Sequence, residues 1–252
     1  MNVLLVRVDG IGDALVCAPL IAALRGAGHR VGALLTSRNS EAFATGTFED
    51  VHVVERIPWP EHGSTPASYA RALSEARAAR YDAALVVSEE PEAYRFARAC
   101  RAKMRVGFSN GWEKPFKSLW ARGQLTHALV REASAWRARE HEVEAVFRLG
   151  AGLHDERAPT RDVARLRPLV TDRDGSREAV VALQVARKVH ASVAGDAEFR
   201  AIAGRIANRY RTVVVASAED AELARSLAAP YRLECRTYGL VANWRDALAQ
   251  AR

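Results

Sequence analysis

Cysteine is scarce in this 252-residue chain. Cys17, Cys100 and Cys235 are an odd number, far apart, with no C-x-x-C spacing. That argues against a disulfide framework and a structural zinc site, and it fits a reducing compartment. Long apolar runs are missing too. The opening run, Asn2 to Val8, contains Arg7 and meets Asp9, too short and interrupted for a signal peptide or a membrane-spanning helix. No G-x-G-x-x-G occurs in the Asp9-Gly-Ile-Gly-Asp13 turn, so a dinucleotide fingerprint is not supported. His141, Glu142 and Glu144 do not make an H-E-x-x-H zinc site, because position 145 is Ala. Lysine is rare as well: of 37 basic residues only Lys103, Lys114, Lys117 and Lys188 are lysines, and the rest are arginine.

What is present suits a folded protein. Hydrophobic residues make up 49% and charged residues 27%, enough apolar surface to bury a sizeable core and to exclude disorder as the main state. The net charge of +7 and a pI near 9.7 suit an anionic partner, since the planar guanidinium forks onto phosphate and carboxylate. An Arg- and Ala-rich coding composition accounts for much of the same excess.

Strand-like and helix-like segments alternate. Asn2–Val8 reads as a buried parallel strand, Asp9–Asp13 as a turn, and Ala14–Arg25 as a helix in which Pro19 marks a kink or the true first turn. Strands at 31–36, 51–57, 81–87 and 104–108 and helices at 68–80 and 91–101 follow. Residues 109–125 read as a long loop, and 133–149 as a further helix. This predicts right-handed βαβ units and a parallel sheet covered on both faces. The expected organisation is a doubly wound domain over 1–153, a linker over 154–178 with a strand-like piece near Leu166–Val170, and a second α/β series over 179–252. That series has strands at 179–185, 212–217 and 233–236 and helices at 196–210 and 221–228. A last helix starts at Trp244 and is still running at Arg252, so the second domain is expected to be incomplete.

Val6-Arg-Val-Asp-Gly-Ile-Gly-Asp-Ala14, with Pro19 a few residues on, resembles the amino-terminal motif of glycosyltransferase family 9, the heptosyltransferases of the lipopolysaccharide inner core. Tyr81-Asp82 leading an apolar strand, Arg105-Val-Gly-Phe108, and the helix with His141 and Glu144 follow in the same order. Ala186-Arg187-Lys188 looks like an A-R-K segment seen in part of the family. The resemblance implies an α/β, GT-B-like fold of two Rossmann-like domains, with the acceptor on the first and the nucleotide sugar on the second. It implies inverting, metal-independent transfer with no cofactor beyond the donor substrate, an ADP-heptose. The implied partners are that nucleotide sugar and an anionic glycolipid acceptor. The implied location is cytoplasmic, peripheral to the inner face of the cytoplasmic membrane. Two departures stand out: Val189-His-Ala-Ser-Val-Ala194 replaces the usual basic residue and Trp, and no D-S-G-x-x-H loop occurs to cradle a donor diphosphate. The donor site is therefore expected to be incomplete, and the chain as it stands inactive.

Asp13, between Ile-Gly and a helix, reads on its own as an N-cap. The resemblance makes it the general base that takes the acceptor hydroxyl proton. Gly10 and Gly12 either form the site by letting a ligand approach the backbone or serve a turn that needs positive φ. Arg187 and Lys188, at the carboxyl edge of a strand, are donor-binding candidates that would neutralise a diphosphate leaving group, or else a solvated basic pair. From Arg98 to Arg122 seven basic residues face one acid, Glu113, with Phe108, Trp112, Phe116 and Trp120 interleaved. Trp112, Lys114 and Lys117 are the acceptor-binding candidates there: cations meet acidic groups, and rings cover sugar faces or sit at a lipid interface. At least half of these rings are expected in the core instead. A single-stranded nucleic-acid surface has a similar composition, but the α/β setting and the lack of an RNA-binding motif weigh against it. His141, Glu142 and Glu144 read as a surface helix, ahead of the alternative of an interdomain helix near the cleft. Two other functions stay open: a non-catalytic glycan-binding protein of the same fold, and an unrelated doubly wound enzyme of nucleotides or phosphosugars.

Overall fold

The computed structural model describes residues 1–57, 61, 63–131, 140–171, 180–187 and 196–238. The chain divides into two compact units, Met1–Asp172 and Arg173–Arg252. Its class is α/β and GT-B-like, each unit being Rossmann-like.

The first unit carries a six-stranded parallel sheet in the order β3-β2-β1-β4-β5-β6. The strands are β1 (Asn2–Val6), β2 (Arg30–Thr36), β3 (Val51–Val54), β4 (Ala83–Val86), β5 (Met104–Ser109) and β6 (His127–Val130). β1 lies at the middle and shows why its sequence is a continuous apolar run. Val3 and Leu5 enter one core with Leu20, Ile21, Leu24, Val146 and Phe147. Leu4 and Val6 point the other way, into a second core with Ala72, Ala76, Tyr94 and Phe96. A strand covered on both faces needs apolar residues at every position rather than at alternate ones.

On the first face lie α1 (Ile11–Leu15), α2 (Ala18–Gly26), α7 (Glu142–Arg148) and α8 (Val163–Val170); on the second lie α4 (Pro66–Ala79), α5 (Pro91–Ala99) and α6 (Pro115–Gln124). A short α3 (Ser37–Ser40) follows β2. Pro19 does mark a true first turn: the helix expected from Ala14 to Arg25 is two pieces, and Pro19 sits at the start of the second, where its missing N–H costs nothing. The second helix closes at Gly28, whose φ of +79° is open to glycine without strain.

Three expectations need correction. Residues 109–125 are not a long loop but a 3-10 turn (Gly111–Glu113) and α6; Pro115 begins that helix, and the small residues Ser118 and Ala121 are what it buries. The piece near Leu166–Val170 is helix, not strand. Asp162 caps it by accepting the Ala164 N–H at 2.9 Å, and Leu169 packs into the first core while its carbonyl accepts from Ala44 N (2.9 Å) and Thr47 Oγ1 (2.8 Å). β6 had no counterpart in the sequence reading. As an edge strand of four half-exposed residues, it lacks the apolar run that marked the others. The helix expected over 133–149 is described as α7, entered through His141, whose Nδ1 accepts the Val143 N–H at 3.2 Å; residues 132–139 lie outside the described residues.

In the second unit β7 (Val180–Val185), β8 (Arg211–Ser217) and β9 (Glu234–Tyr238) form a parallel sheet in that order. Helices α9 (Asp196–Ala207) and α10 (Ala221–Ala228) connect them. Val214, Ala216, Ala224 and Leu227 make its core. The helix expected from Trp244 lies outside the described residues. Among the described residues no helix is long and apolar enough to cross a membrane.

Candidate active site

In the first sheet the chain leaves β1 toward β2 on one side, and leaves β4 toward β5 on the other. The carboxyl ends of these neighbouring strands therefore flank a crevice at the topological switch point, where open α/β sheets bind ligands. The loops after β1 and β4 are tied across it. Val8 N–H donates to Ser88 Oγ at 2.8 Å, and the Ser88 hydroxyl donates to Asp9 Oδ1. From the β2 side, Asn39 Nδ2 donates to the carbonyls of Arg7 (3.0 Å) and Asp9 (3.2 Å), and its own backbone and side chain are locked to Thr36.

Arg7 is the centre of the crevice. It is only 3% exposed, and Nη1 donates to the Val87 carbonyl at 3.2 Å. Three carboxylates surround its guanidinium: Asp9 Oδ2 at 3.7 Å from Nε, Asp13 Oδ1 at 3.3 Å and Glu142 Oε1 at 3.6 Å from Nη2. A buried arginine needs such partners, since an isolated buried charge is untenable. The sequence reading passed over Arg7; the available signal was a lone charge inside an otherwise apolar strand run.

Asp13 is not an N-cap. The helix begins earlier, at Ile11 after Gly10, and Asp13 sits within its first turn. Its Oδ2 reaches back to accept the Gly10 N–H at 3.2 Å, while the side chain remains 52% exposed. The carboxylate is thus held from two sides, by an amide and by Arg7, with its remaining surface in solvent. Gly10 is needed for this: a Cβ there would lie 2.8 Å from Asp13 Oδ2. Gly12 meets nothing within 4 Å, and neither glycine has a positive φ, so the turn does not require them for backbone reasons.

Asp9 differs from Asp13. Burial pushes its carboxyl up to about 6, against the pull of Arg7 and with help from Glu90 and Asp13. Beneath them Cys17 is fully buried and its thiol is pushed up to about 12 by burial, which leaves it inert as a nucleophile.

The network continues across the sheet. Glu142 also pairs with Arg131, which follows β6, and Arg131 lies 3.5 Å from Glu89 Oε1. Glu89 accepts from Asn110 Nδ2 at 3.0 Å and from Lys117 Nζ at 3.2 Å. Burial pushes the Glu89 carboxyl up, but the Asn110 hydrogen bond and the charges of Lys117 and Arg131 outweigh it and hold it below the usual range. The charges alternate from Asp13 through Arg7, Glu142, Arg131 and Glu89 to Lys117. Glu142, for which a surface helix was the favoured reading, is part of this network.

Of the acceptor-side candidates, Lys117 thus joins Asp13 and Gly10 through the network, whereas Lys114 and Trp112 stand exposed at the head of α6. Of the four rings in that stretch, Phe108 is buried and Trp120 packs on the core beside Tyr94, while Trp112 and Phe116 face solvent, which meets the expectation that half would be core. In the second unit Arg187 follows β7 and is 74% exposed, 3.8 Å from Asp220. Lys188 and the Val189–Ala194 stretch lie outside the described residues. Among the described residues no three His, Cys, Asp or Glu side chains are grouped to hold a metal ion.

The chain matches no protein-family model, and no curated protein is significantly similar to it in sequence. Solved structures are similar in fold. The E. coli heptosyltransferase WaaC with ADP superposes with a TM-score of 0.75 at 19% identity, over 100% of this chain and 79% of WaaC. The same enzyme with ADP-2-deoxy-2-fluoro heptose gives 0.73 at 19% identity, over 100% and 81%. The E. coli ADP-heptose lipopolysaccharide heptosyltransferase II gives 0.67 at 16% identity, over 99% and 76%. This chain has the GT-B fold of these enzymes. At such identities the likeness is one of architecture, and the chemistry rests on the residues of the crevice.

Proposed function

We propose that this protein is a glycosyltransferase of the heptosyltransferase type, moving a sugar from a nucleotide sugar to an anionic glycan acceptor. The observation that carries this reading is the Asp13 carboxylate. It stands at the switch point of the first sheet, oriented by Gly10 N–H and Arg7, with half its surface open to a ligand. The fold shared with enzymes crystallised with ADP and with an ADP-heptose analogue supports an ADP-heptose donor.

In this mechanism the acceptor hydroxyl docks against the free edge of Asp13. As its oxygen attacks the anomeric carbon, the proton passes to the carboxylate; the bond from that carbon to the diphosphate oxygen breaks, and the nucleoside diphosphate leaves with the electron pair. One displacement inverts the anomeric centre, and no cofactor or metal takes part. Arg7 holds Asp13 so that the lone pair points into the crevice, and it keeps the neighbouring acids from repelling an anionic acceptor. Lys114, Lys117 and Trp112 bind acidic groups and sugar faces of that acceptor, while Arg187 and Lys188 neutralise the departing diphosphate. The enzyme works at the cytoplasmic face of the inner membrane, where its glycolipid acceptor is displayed.

The test is transfer itself. Protein expressed from the complete coding sequence is mixed with ADP-heptose and a heptose-free lipopolysaccharide core. Acceptor mass and released ADP are then followed. A mass gain of one heptose matched by stoichiometric ADP supports the reading. Acceptor binding without any ADP release assigns the fold to a binding protein instead.

A further inference from the structure

Asp9 is the acid in the crevice to which the mechanism above gives no task. Its side chain is 25% exposed, and its Oδ1 accepts the Ser88 hydroxyl, whose oxygen in turn accepts the Val8 N–H at 2.8 Å. An asparagine would make the same tie between the loops without a charge. Burial opposes the charge here and pushes the carboxyl up to about 6, so keeping an acid at this position costs stability. A charge retained against its own desolvation, in a crevice, points to use by a ligand.

Arg7 does not consume that charge. Asp9 Oδ2 lies 3.7 Å from Arg7 Nε, beyond hydrogen-bond range, and the buried Nε–H has no hydrogen-bond acceptor among the described residues. An ammonium group or a metal ion would meet the guanidinium charge at once, and among the described residues no three acids are grouped to hold a metal. The donor that suits the place is therefore an uncharged one, a hydroxyl group.

The position of Asp9 beside Asp13 sets which hydroxyl. Asp13 Oδ1 is 3.3 Å from Arg7 Nη2, and Asp9 approaches Nε, the adjacent nitrogen on one edge of the same planar fork. The two carboxylates thus stand side by side. Two neighbouring acceptors match two hydroxyls on adjacent carbons of a sugar ring. With one hydroxyl held by Asp9, the other meets Asp13 in a fixed direction, without the rotational freedom that a single contact leaves.

We propose that Asp9 is a substrate-binding residue that accepts a hydrogen bond from the acceptor hydroxyl next to the reacting one, so that the crevice takes sugars with a vicinal diol. This rests on the reading above in placing the reacting hydroxyl at Asp13. Binding is measured without donor or turnover, so the two can fail separately.

The experiment is calorimetric titration of the full protein, without donor, with two soluble saccharides. One is the deacylated heptose-free core; the other has hydrogen in place of the hydroxyl next to the one that receives the sugar. Native protein should bind the first about tenfold or more tightly, as a hydrogen bond to an ionised group implies. Asp9→Ala should bind both alike, with the affinity that native protein has for the deoxy saccharide. A cooperative thermal transition shows that the variant is folded; the native comparison needs no variant and decides the matter if it is not. Equal binding of both saccharides by native protein overturns the proposal and leaves the place beside Asp9 to water. Binding of neither, or full discrimination by folded Asp9→Ala, overturns it as well. Discrimination in binding with no ADP released from ADP-heptose upholds Asp9 and removes the transferase reading; ADP release at equal rates with both saccharides does the reverse.

Discussion

Arg7→Met tests whether the crevice is organised by one buried cation. Methionine keeps most of the aliphatic volume and removes the charge. Three carboxylates within 4 Å then lose their shared partner, and the Val87 carbonyl loses its donor at 3.2 Å. Removing one member of a buried charge cluster costs about 3–5 kcal/mol. The lower end applies, because Asp13 is half in solvent and Glu142 retains Arg131. The loss should be about 3 kcal/mol near pH 8, and it should depend on pH in a direction fixed by Asp9. In the native protein that carboxyl is raised to about 6, above its unfolded value of 3.8. Between those values the folded state holds a proton that the unfolded chain has released, so stability falls as pH rises through the window and stays lower above it. Without Arg7, whose charge pulls the carboxyl down, the window extends upward. The deficit of Arg7→Met should therefore be largest at pH 8 and shrink toward pH 5, where Asp9 is mostly protonated in both proteins. Urea unfolding followed by tryptophan fluorescence reads this, since four of the five tryptophans lie in the first unit. A deficit below about 1 kcal/mol at pH 8, or one equal at pH 5 and pH 8, refutes the central role of Arg7.

Asp9→Asn removes the titrating group itself, so the fall in stability of roughly 2 kcal/mol expected for native protein between pH 4 and pH 7 should largely vanish in urea titrations of the variant. Gly32→Ala places a Cβ 2.1 Å from the Tyr81 hydroxyl, itself 2.8 Å from His52 Nε2, and should destabilise the first unit by about 1–3 kcal/mol. Tyr81→Phe in the same background should recover part of that loss in a double-mutant cycle. Lys188→Ala should raise the KM for the nucleotide sugar or cut turnover, and unchanged kinetics would make it a solvated loop residue. Transfer to the anionic acceptor should slow as salt rises, because encounter with the basic face is screened; a salt-independent rate removes the electrostatic part of the account.

The parts of this fold that were legible in the sequence are those where local pattern and burial agree. β1, β2 and β4 carry no polar side chain over Val3–Val6, Val31–Leu35 and Ala83–Val86 because both faces are covered, and Pro19 and Gly28 punctuate α2 by their backbone chemistry. α6 was missed because Phe116 and Leu119 face solvent and the positions it buries, Ser118 and Ala121, are small, so Trp120 alone of its large apolar residues marks the core side. Pro168 made α8 look like an interrupted strand, though Asp162 before it is a good cap. β6 is four residues long, exposed at both ends and marked only by its partner β5. The crevice divides the same way. Asp13 stood out because a motif surrounds it, but its contact with Arg7 and Glu142 joins residues far apart in sequence. No spacing rule connects Glu142 on α7 with Asp13 on α1; only the sheet order does. Ser88-Glu-Glu90 following β4 was the signal that could have pointed to the switch point, had the order of strands been known.

The most direct measurement is the turnover of Asp13→Asn beside native protein, both expressed from the complete coding sequence, with ADP-heptose and the heptose-free core as substrates. The amide keeps the size of the carboxylate and an oxygen for the Gly10 N–H, but it cannot take a proton. The account predicts a kcat lower by about a hundredfold or more, with the KM values and the unfolding midpoint close to native. A variant that turns over within a few-fold of native would contradict Asp13 as the base, and with it the reading of the crevice as the site of transfer.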